Sequence, residues 1–336
     1  MPGHGETVDI DIDNKTVRIT NPEKVFFPGC GATKLDLARY YLAVGPGALR
    51  GVFQRPTVLR RYPNGVGGPS FFQKRVPDSR PPWLETATVR FPSGREATEL
   101  CPIDVAHLLW AVNLGCIDLN PWPVRRADLD HPDELRVDLD PQPGVGFAAV
   151  RVLALEVGAL LTELGLVGFP KTSGSRGIHI NVPIEPDHGF TEVRRAALAL
   201  ARELERRRPD LATSAWWKEE RGERILVDYN QNARDRTVAS AYSVRATPDA
   251  RVSCPLEWGE VGDVDPNELT IATVPERFKR HDAASSSEER RYSLEPLLEL
   301  VRREEAAGVP DAPLPPHFAK GEDEPPRVAP SRRKRT

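Results

Sequence analysis

The amino-acid sequence predicts a mixed fold of β-strands and α-helices, and three stretches carry that prediction. TVDIDIDNKTVRITN alternates apolar and polar residues on both sides of a short turn, the period of a half-buried strand pair. FTEVRRAALALARELERRR repeats its apolar residues at helical spacing. DELRVDLDPQPG, residues 133–144, reads as a strand stopped by Pro-Gln-Pro-Gly.

In chain order, the first hairpin turns at Asn14-Lys15. TKLDLARYYLAVGPGAL has helical spacing, with Thr33 as its N-cap. TVLRRYPNGVGGPSFFQK is strand, glycine-rich loop and strand, because Pro-Asn-Gly-Val-Gly-Gly-Pro supports only a loop. IDVAHLLWAVNLGC is an apolar helix, and CIDLNPW then turns toward the acidic strand. FAAVRVLALEVGALLTELGL is a helix, and GFPKTSGSRGIHINVPI is strand, small-residue turn and strand. After the basic helix, RILVDYNQN is a strand with a polar end, and VASAYSVRATPDARVSCPLEW reads as two strands around a turn. DPNELTIATVPERFKR and SLEPLLELVRREEAAG are helical. From Pro310 the composition of proline and charge predicts disorder.

A length of 336 residues suits two ordinary domains or one large one with subdomains. The net charge of −3 argues against a general nucleic-acid coat protein, while clusters such as RPTVLRRYP and SRRKRT leave room for a local basic groove. Cys30, Cys101, Cys116 and Cys254 have no CxxC spacing, so neither a structural zinc site nor a disulfide framework is indicated. The N-terminus has no apolar signal core and no run of about 18 apolar residues exists, which predicts a cytoplasmic protein.

In a strand, side chains at i and i+2 point the same way, roughly 6.5–7 Å apart. Asp138 and Asp140 therefore share a face opposite Val137 and Leu139. Two bare carboxylates at that spacing repel; a divalent cation with oxygen preference removes the repulsion. A solvated strand edge is the plainer account of a lone DxD. Asp228 ends a second apolar strand, and if the two strands are neighbours, three carboxylates converge in the manner of two-metal phosphoryl or nucleotidyl transfer.

Between them, Ser173-Gly174-Ser175-Arg176-Gly177 offers small residues whose backbone can approach an anion, and a guanidinium that matches phosphate oxygens. His179 faces away from the core side of Ile178 and Ile180. The loop lacks the Walker A pattern. Of Phe71 and Phe72, adjacent in a strand, one faces outward where it can stack a base.

DELRVDLDPQPG, KTSGSRGIHINVPI, RILVDYNQNARDRTVASAYSVRATPDARVSCPLEW, NPEKVFFPGCGATKLDLARYYLAV and NLGCIDLNPWPVR together resemble the polymerase domain of bacterial DNA ligase D, in the archaeo-eukaryotic primase superfamily. The resemblance covers about residues 6–300. It implies an α+β fold: an RRM-like catalytic sheet packed on helices, with a second N-terminal subdomain forming the other wall of a cleft. The implied division is a primase-polymerase domain over 1–305, with an N-terminal module at about 1–120, a metal- and nucleotide-binding core at about 121–260 and C-terminal helices at about 261–305. Residues 306–336 would be a disordered basic tail. The remaining length holds no ligase or phosphoesterase domain, so the likeness is to a stand-alone member.

The implied activity is template-directed addition of NTPs or dNTPs to DNA 3′ ends, favouring Mn²⁺ over Mg²⁺, in gap filling and end processing during non-homologous end joining. By resemblance, Asp138, Asp140 and Asp228 hold the metal ions and carry catalysis. Ser173, Arg176 and His179 bind the triphosphate, and Phe71 and Phe72 meet the nucleobase or template. Arg60, Lys218, Arg221 and Gln231 lie near nucleotide and strand; Asn21, Lys24 and Lys34 hold a downstream 5′-phosphate. Implied partners are primer-template or broken DNA, with a separate DNA ligase and Ku; the implied location is the cytoplasm, at the nucleoid. Two positions depart from the family pattern: Arg176, where many members have Lys, and Asn120, where some have His. Two other readings use the same residues, a metal-dependent phosphoesterase or nuclease and a non-catalytic end-binding module.

Overall fold

The computed structural model describes residues 6–315. Its N-terminal half contains β1 (Thr7–Ile12), β2 (Lys15–Thr20), β3 (Val25–Phe27), β4 (Ala32–Thr33), α1 (Lys34–Ala43), α2 (Gly45–Val52), β5 (Thr57–Arg61), β6 (Phe71–Gln73), β7 (Thr86–Arg90), β8 (Glu96–Leu100), α3 (Val105–Asn113) and β9 (Cys116–Pro121). Then follow β10 (Glu134–Pro141), α4 (Phe147–Glu163), β11 (Phe169–Thr172), β12 (Ile178–Pro183), α5 (Phe190–Arg207), β13 (Ala212–Thr213), β14 (Ile225–Val227), α6 (Val274–Arg280) and α7 (Glu295–Ala306).

The β1–β2 hairpin turns at Asp13-Asn14, both with positive φ, one residue earlier than expected. This is where a two-residue hairpin turn needs residues that tolerate the left-handed region. Thr33 caps α1 as its sequence suggests: Thr33 Oγ1 accepts from Asp36 N–H at 3.2 Å, and Asp36 Oδ2 accepts from Thr33 N–H at 2.9 Å. In the first large sheet, β5 is central, with β9 along one side and β6 and β8 on the other. CIDLNP is thus a buried strand, not the expected turn.

The second sheet has the order β11-β12-β10-β14-β13, antiparallel except for the β13–β14 pair. Leu135, Val137, Leu139, Ile178, Ile180 and Val182 are all buried in the core. The α4 and α5 helices pack on this sheet. The opposite face carries Arg136, Asp138, Asp140 and His179, which is the polar half of the period-two pattern. Both large sheets and the helices contribute to one contiguous core.

Two stretches differ from expectation. VASAYSVRATPDARVSCPLEW contains no named strand, only isolated bridges: Val244 with Val252, Arg251 with Thr270 and Pro255 with Lys171. Its chain is tied instead by side chains and to β11, as by Thr172 N–H to Cys254 O at 2.9 Å. In DPNELTIATVPERFKR, only a short 3₁₀ turn at Pro266–Glu268 and α6 are helical. Residues 306–315, expected to open a disordered tail, are placed against α5. Arg194, buried, donates to Asp311 Oδ1 at 3.1 Å and to the carbonyls of Ala312 and Pro313 at 2.6 and 3.0 Å. The basic end of that tail lies outside the described residues.

One buried carboxylate ties distant segments together. Asp133, just before β10, pairs with Arg55, with Arg125 at 2.9 Å and with Arg291 at 3.0 Å. Among the described residues, no helix is long and apolar enough to cross a membrane.

Candidate active site and nucleic-acid interface

Strand register assembles the site. On adjacent strands, Lys171 pairs with His179 and His179 with Asp138. The next ladder pairs Leu139 with Val227, and just past it Asp228 N–H donates to the Asp138 carbonyl at 2.8 Å. Four strands thus place Lys171, His179, Asp138 and Asp228 along one line across the sheet. Asp140 lies one pleat further along the Asp138 face and is exposed.

Asp138 is nearly enclosed, its side chain 16% exposed. Burial, then the negative charges of Asp228 and Asp140, push its carboxyl up to about 8, with Lys171 and Arg245 pulling the other way. Burial also raises Asp228, opposed by hydrogen bonds from Asn230 N–H and the Gln231 amide, both at 3.0 Å. Among the described residues, no three His, Cys, Asp or Glu side chains are already closed around a point suited to a metal ion. The donor chemistry nevertheless fits a hard divalent cation. Every oxygen in question is a carboxylate oxygen, burial and then its like-charged neighbours raise Asp138, and no Lys or Arg ion-pairs with it among the described residues.

The Ser173–Gly177 turn is built differently from the expected backbone cradle. Ser173 Oγ accepts from Ser175 N–H at 3.1 Å and from Gly177 N–H at 3.0 Å, so those two donors are turned inward. The Ser173 hydroxyl proton has no acceptor among the described residues. Both glycines are required. Gly174 has φ +67°, and a Cβ there would stand 2.3 Å from Arg245 Cγ; a Cβ on Gly177 would stand 2.3 Å from the Leu139 carbonyl oxygen. Arg176 is exposed and forms no ion pair among the described residues.

His179 is buried. Its Nδ1 lies 2.7 Å from Lys171 Nζ and its Nε2 3.4 Å from Asp138 Oδ1. Burial, then Lys171, Arg245 and Arg136, hold the imidazole well below its ordinary range, so it is neutral. Lys171 is itself pulled down to about 7 by burial, Arg245 and Arg136, against the opposing charges of Glu134 and Asp138.

Arg245 was not singled out by the sequence reading, yet its charge acts on Asp138, His179 and Lys171 alike. Asp118, buried, lies between Arg245 Nε at 3.8 Å and Arg60 Nη1 at 3.4 Å. The Arg60 guanidinium stands over the Tyr62 and Phe72 rings at 5.3 and 5.4 Å, and Arg61 over Phe71 at 5.2 Å. Phe71 and Phe72 are both exposed, at 47% and 60%, where one inward ring was expected. Their strand is an edge, paired only with β5, and the exposure of both rings shows that neither of its faces is covered there.

Gln231 reaches Asp228 directly. Lys218 is exposed on a short 3₁₀ turn. Arg221 is buried and donates to the carbonyls of Ala215 and Trp216 at 3.0 and 2.7 Å, so it pins that loop while acting on Asp228 by charge. Asn21, Lys24 and Lys34 line one surface pocket of about 180 Å³ with Arg61 and Asn113. Lys34, buried, donates to Thr20 O at 2.8 Å and Asn113 Oδ1 at 2.9 Å; burial, Lys24 and Arg61 pull it down to about 8. Lys24 donates to Pro63 O at 2.7 Å and Asn64 Oδ1 at 2.9 Å.

Known proteins share this architecture. The family described as LigD, primase-polymerase domain, matches residues 33–284. The multifunctional non-homologous end joining DNA repair protein LigD of Mycobacterium tuberculosis H37Rv is 34% identical over 279 residues, covering 79% of this chain and 36% of that protein. The corresponding Pseudomonas aeruginosa protein is 34% identical over 264 residues, covering 78% and 31%. The bifunctional LigD of Bacillus subtilis is 29% identical over 289 residues, covering 85% and 46%. The chain therefore spans between about a third and a half of the length of these curated relatives. A solved structure of the polymerase domain from Mycobacterium tuberculosis ligase D in complex with DNA superposes with a TM-score of 0.75 at 33% identity, covering 79% of this chain and 95% of that one.

Proposed function

The chain belongs to the LigD primase-polymerase domain family, whose members are nucleotidyltransferases, and from that premise we propose that it extends DNA 3′ ends in repair. The reading is a template-directed polymerase that adds NTPs or dNTPs, fills short gaps and processes ends for joining. A separate DNA ligase and Ku are its proposed partners, and the nucleoid is its proposed place of action.

The observation that carries this reading is the line of Asp138 and Asp228 on neighbouring strands, with Asp140 one pleat away and the Ser173–Gly177 turn beside them. The three carboxylates would hold Mn²⁺ or Mg²⁺, which would activate the primer 3′-hydroxyl and neutralise charge on departing pyrophosphate. The remaining roles belong to the chain's own side chains. The Ser173 hydroxyl, the His179 imidazole and the Arg176 and Arg245 guanidiniums lie on the phosphate side as its candidate partners. Gln231 orients Asp228. Phe71 and Phe72 offer open ring faces to a templating base, and Arg60 stiffens Phe72 from below. The pocket of Asn21, Lys24 and Lys34 receives the 5′-phosphate across a gap.

Labelled primer-template incubated with Mn²⁺ and NTPs or dNTPs tests the reading. Lengthening by unmutated protein, abolished in Asp228→Ala with DNA binding retained, supports it. Shortening of the primer would point to a phosphoesterase, and binding without any incorporation would point to an end-binding module; either result defeats it.

A further inference from the structure

At pH 6, below the value of about 7 to which burial draws it, Lys171 is a buried ammonium, with no carboxylate at hydrogen-bonding distance among the described residues. Its Nζ lies 2.7 Å from the Ala239 carbonyl oxygen, 2.8 Å from Ser253 Oγ and 2.7 Å from His179 Nδ1. The first partner can only accept. The second has already committed its hydroxyl proton to Thr172 O at 2.8 Å, so it too accepts from Lys171. Two of the three ammonium protons are thus assigned, and the third points at His179 Nδ1. An imidazole that accepts at Nδ1 and is neutral carries its proton on Nε2. That atom faces Asp138, 3.4 Å away, on the open side of the sheet.

We propose that Lys171 is a positioning residue that fixes His179 as the Nε2–H tautomer, so that the imidazole presents a donor to Asp138 and to the incoming triphosphate. The proposal rests on the polymerase reading for the identity of that ligand, but not for the tautomer itself. It explains why a lysine is kept inside the protein at the cost of desolvation, two strands away from the reacting groups. Without it, the imidazole could turn its Nδ1–H toward Ala239 or Ser253 and offer a bare lone pair to an anion.

Two-bond ¹H–¹⁵N spectra of the histidine rings, taken at pH 6 on the nucleotide-free protein, read the tautomer directly. The unmutated protein is expected to show His179 as Nε2–H. Lys171→Met is expected to move it to Nδ1–H or to a mixture, and to raise KM for the nucleotide by about tenfold to a hundredfold, the range of one lost charged hydrogen bond. Lys171→Arg keeps a donor that cannot accept, so it is expected to retain both the tautomer and most of the affinity. If Lys171→Met does not fold, Ser253→Ala, which removes one anchor of the ammonium, is the deciding variant, with a smaller change in the same direction. An unchanged Nε2–H signal in Lys171→Met, or in Ser253→Ala where that variant decides, overturns the proposal. So does a changed tautomer with an unchanged KM. Failure of the unmutated protein to incorporate nucleotide would sink the polymerase reading while leaving the tautomer measurement standing.

Discussion

Binding of Mn²⁺ to this protein should expel protons, and the number is set by Asp138. Its carboxyl stands at about 8 because it is buried and faces Asp228 and Asp140. At pH 7 such a group is about nine-tenths protonated, and a divalent cation binds the carboxylate only, so Asp138 should release about 0.9 proton per site filled. The share falls to about 0.5 at pH 8 and about 0.1 at pH 9 on the same relation. Apparent affinity should therefore tighten by about tenfold per pH unit from pH 6 toward pH 8 and level off above it. Asp228, also raised, adds whatever protons it carries. Calorimetric titration of MnCl₂ without nucleotide or DNA, repeated in buffers of different ionisation enthalpy, counts the protons. Asp138→Asn should lose the Asp138 share while remaining folded. A proton count near zero at pH 7, or the same count in Asp138→Asn, would refute the electrostatic account of the site.

Three further outcomes can be checked independently. Glu99 is fully buried, accepts from Trp122 Nε1 at 3.0 Å through Oε2 and has no partner for Oε1 among the described residues; burial pushes it from 4.5 up to about 8. A carboxyl raised on folding favours the folded state at low pH and loses that advantage as pH climbs from about 4.5 to about 8, here by up to about 5 kcal/mol. Glu99→Gln should flatten that decline in denaturant melts at pH 5 and pH 8; parallel curves would contradict it. Phe72→Ala, and Phe71→Ala to a lesser degree, should weaken primer-template binding by about 1–3 kcal/mol per lost stack in anisotropy titrations, with Tm unchanged because both rings are exposed. Lys24→Ala should reduce the preference for a gapped substrate bearing a 5′-phosphate over one bearing a 5′-hydroxyl by about tenfold or more, leaving extension on an open template intact; an unchanged preference would remove Lys24 from that site.

Period-two patterning told which way each side chain faces. Val137 and Leu139 go to the core and Asp138 goes to the open side because alternation is a local property of one strand. The cap at Thr33 and the small-residue turn at Ser173–Gly177 were legible for the same reason: their partners lie within four residues. What could not be read was which residue stands across the gap between strands. Lys171 sat in plain view within KTSGSRG, but its meaning depends on facing His179 from one strand and Ala239 and Ser253 from a remote loop. Arg245 lies in a stretch that looked like a strand and is not, so alternation gave it no face at all. The exposure of both Phe71 and Phe72 depends on what packs over the two faces of their strand, which no single segment encodes. Buried charge was also illegible, since Arg194 and Asp133 lie in segments whose charged residues would ordinarily face solvent.

The triple pairing of Asp133 bears on how the molecule can be divided. One carboxylate compensates guanidiniums from three lengths of chain, at positions 55, 125 and 291. A fragment beginning near 121 and ending near 260 would keep Asp133 and Arg125 but lose the other two cations, and removing a partner of an enclosed ion pair typically costs about 3–5 kcal/mol. Anyone wishing to transplant this carboxylate site into another protein must therefore carry the whole span from before Arg55 to beyond Arg291, grafting at its ends instead of splicing between its sheets.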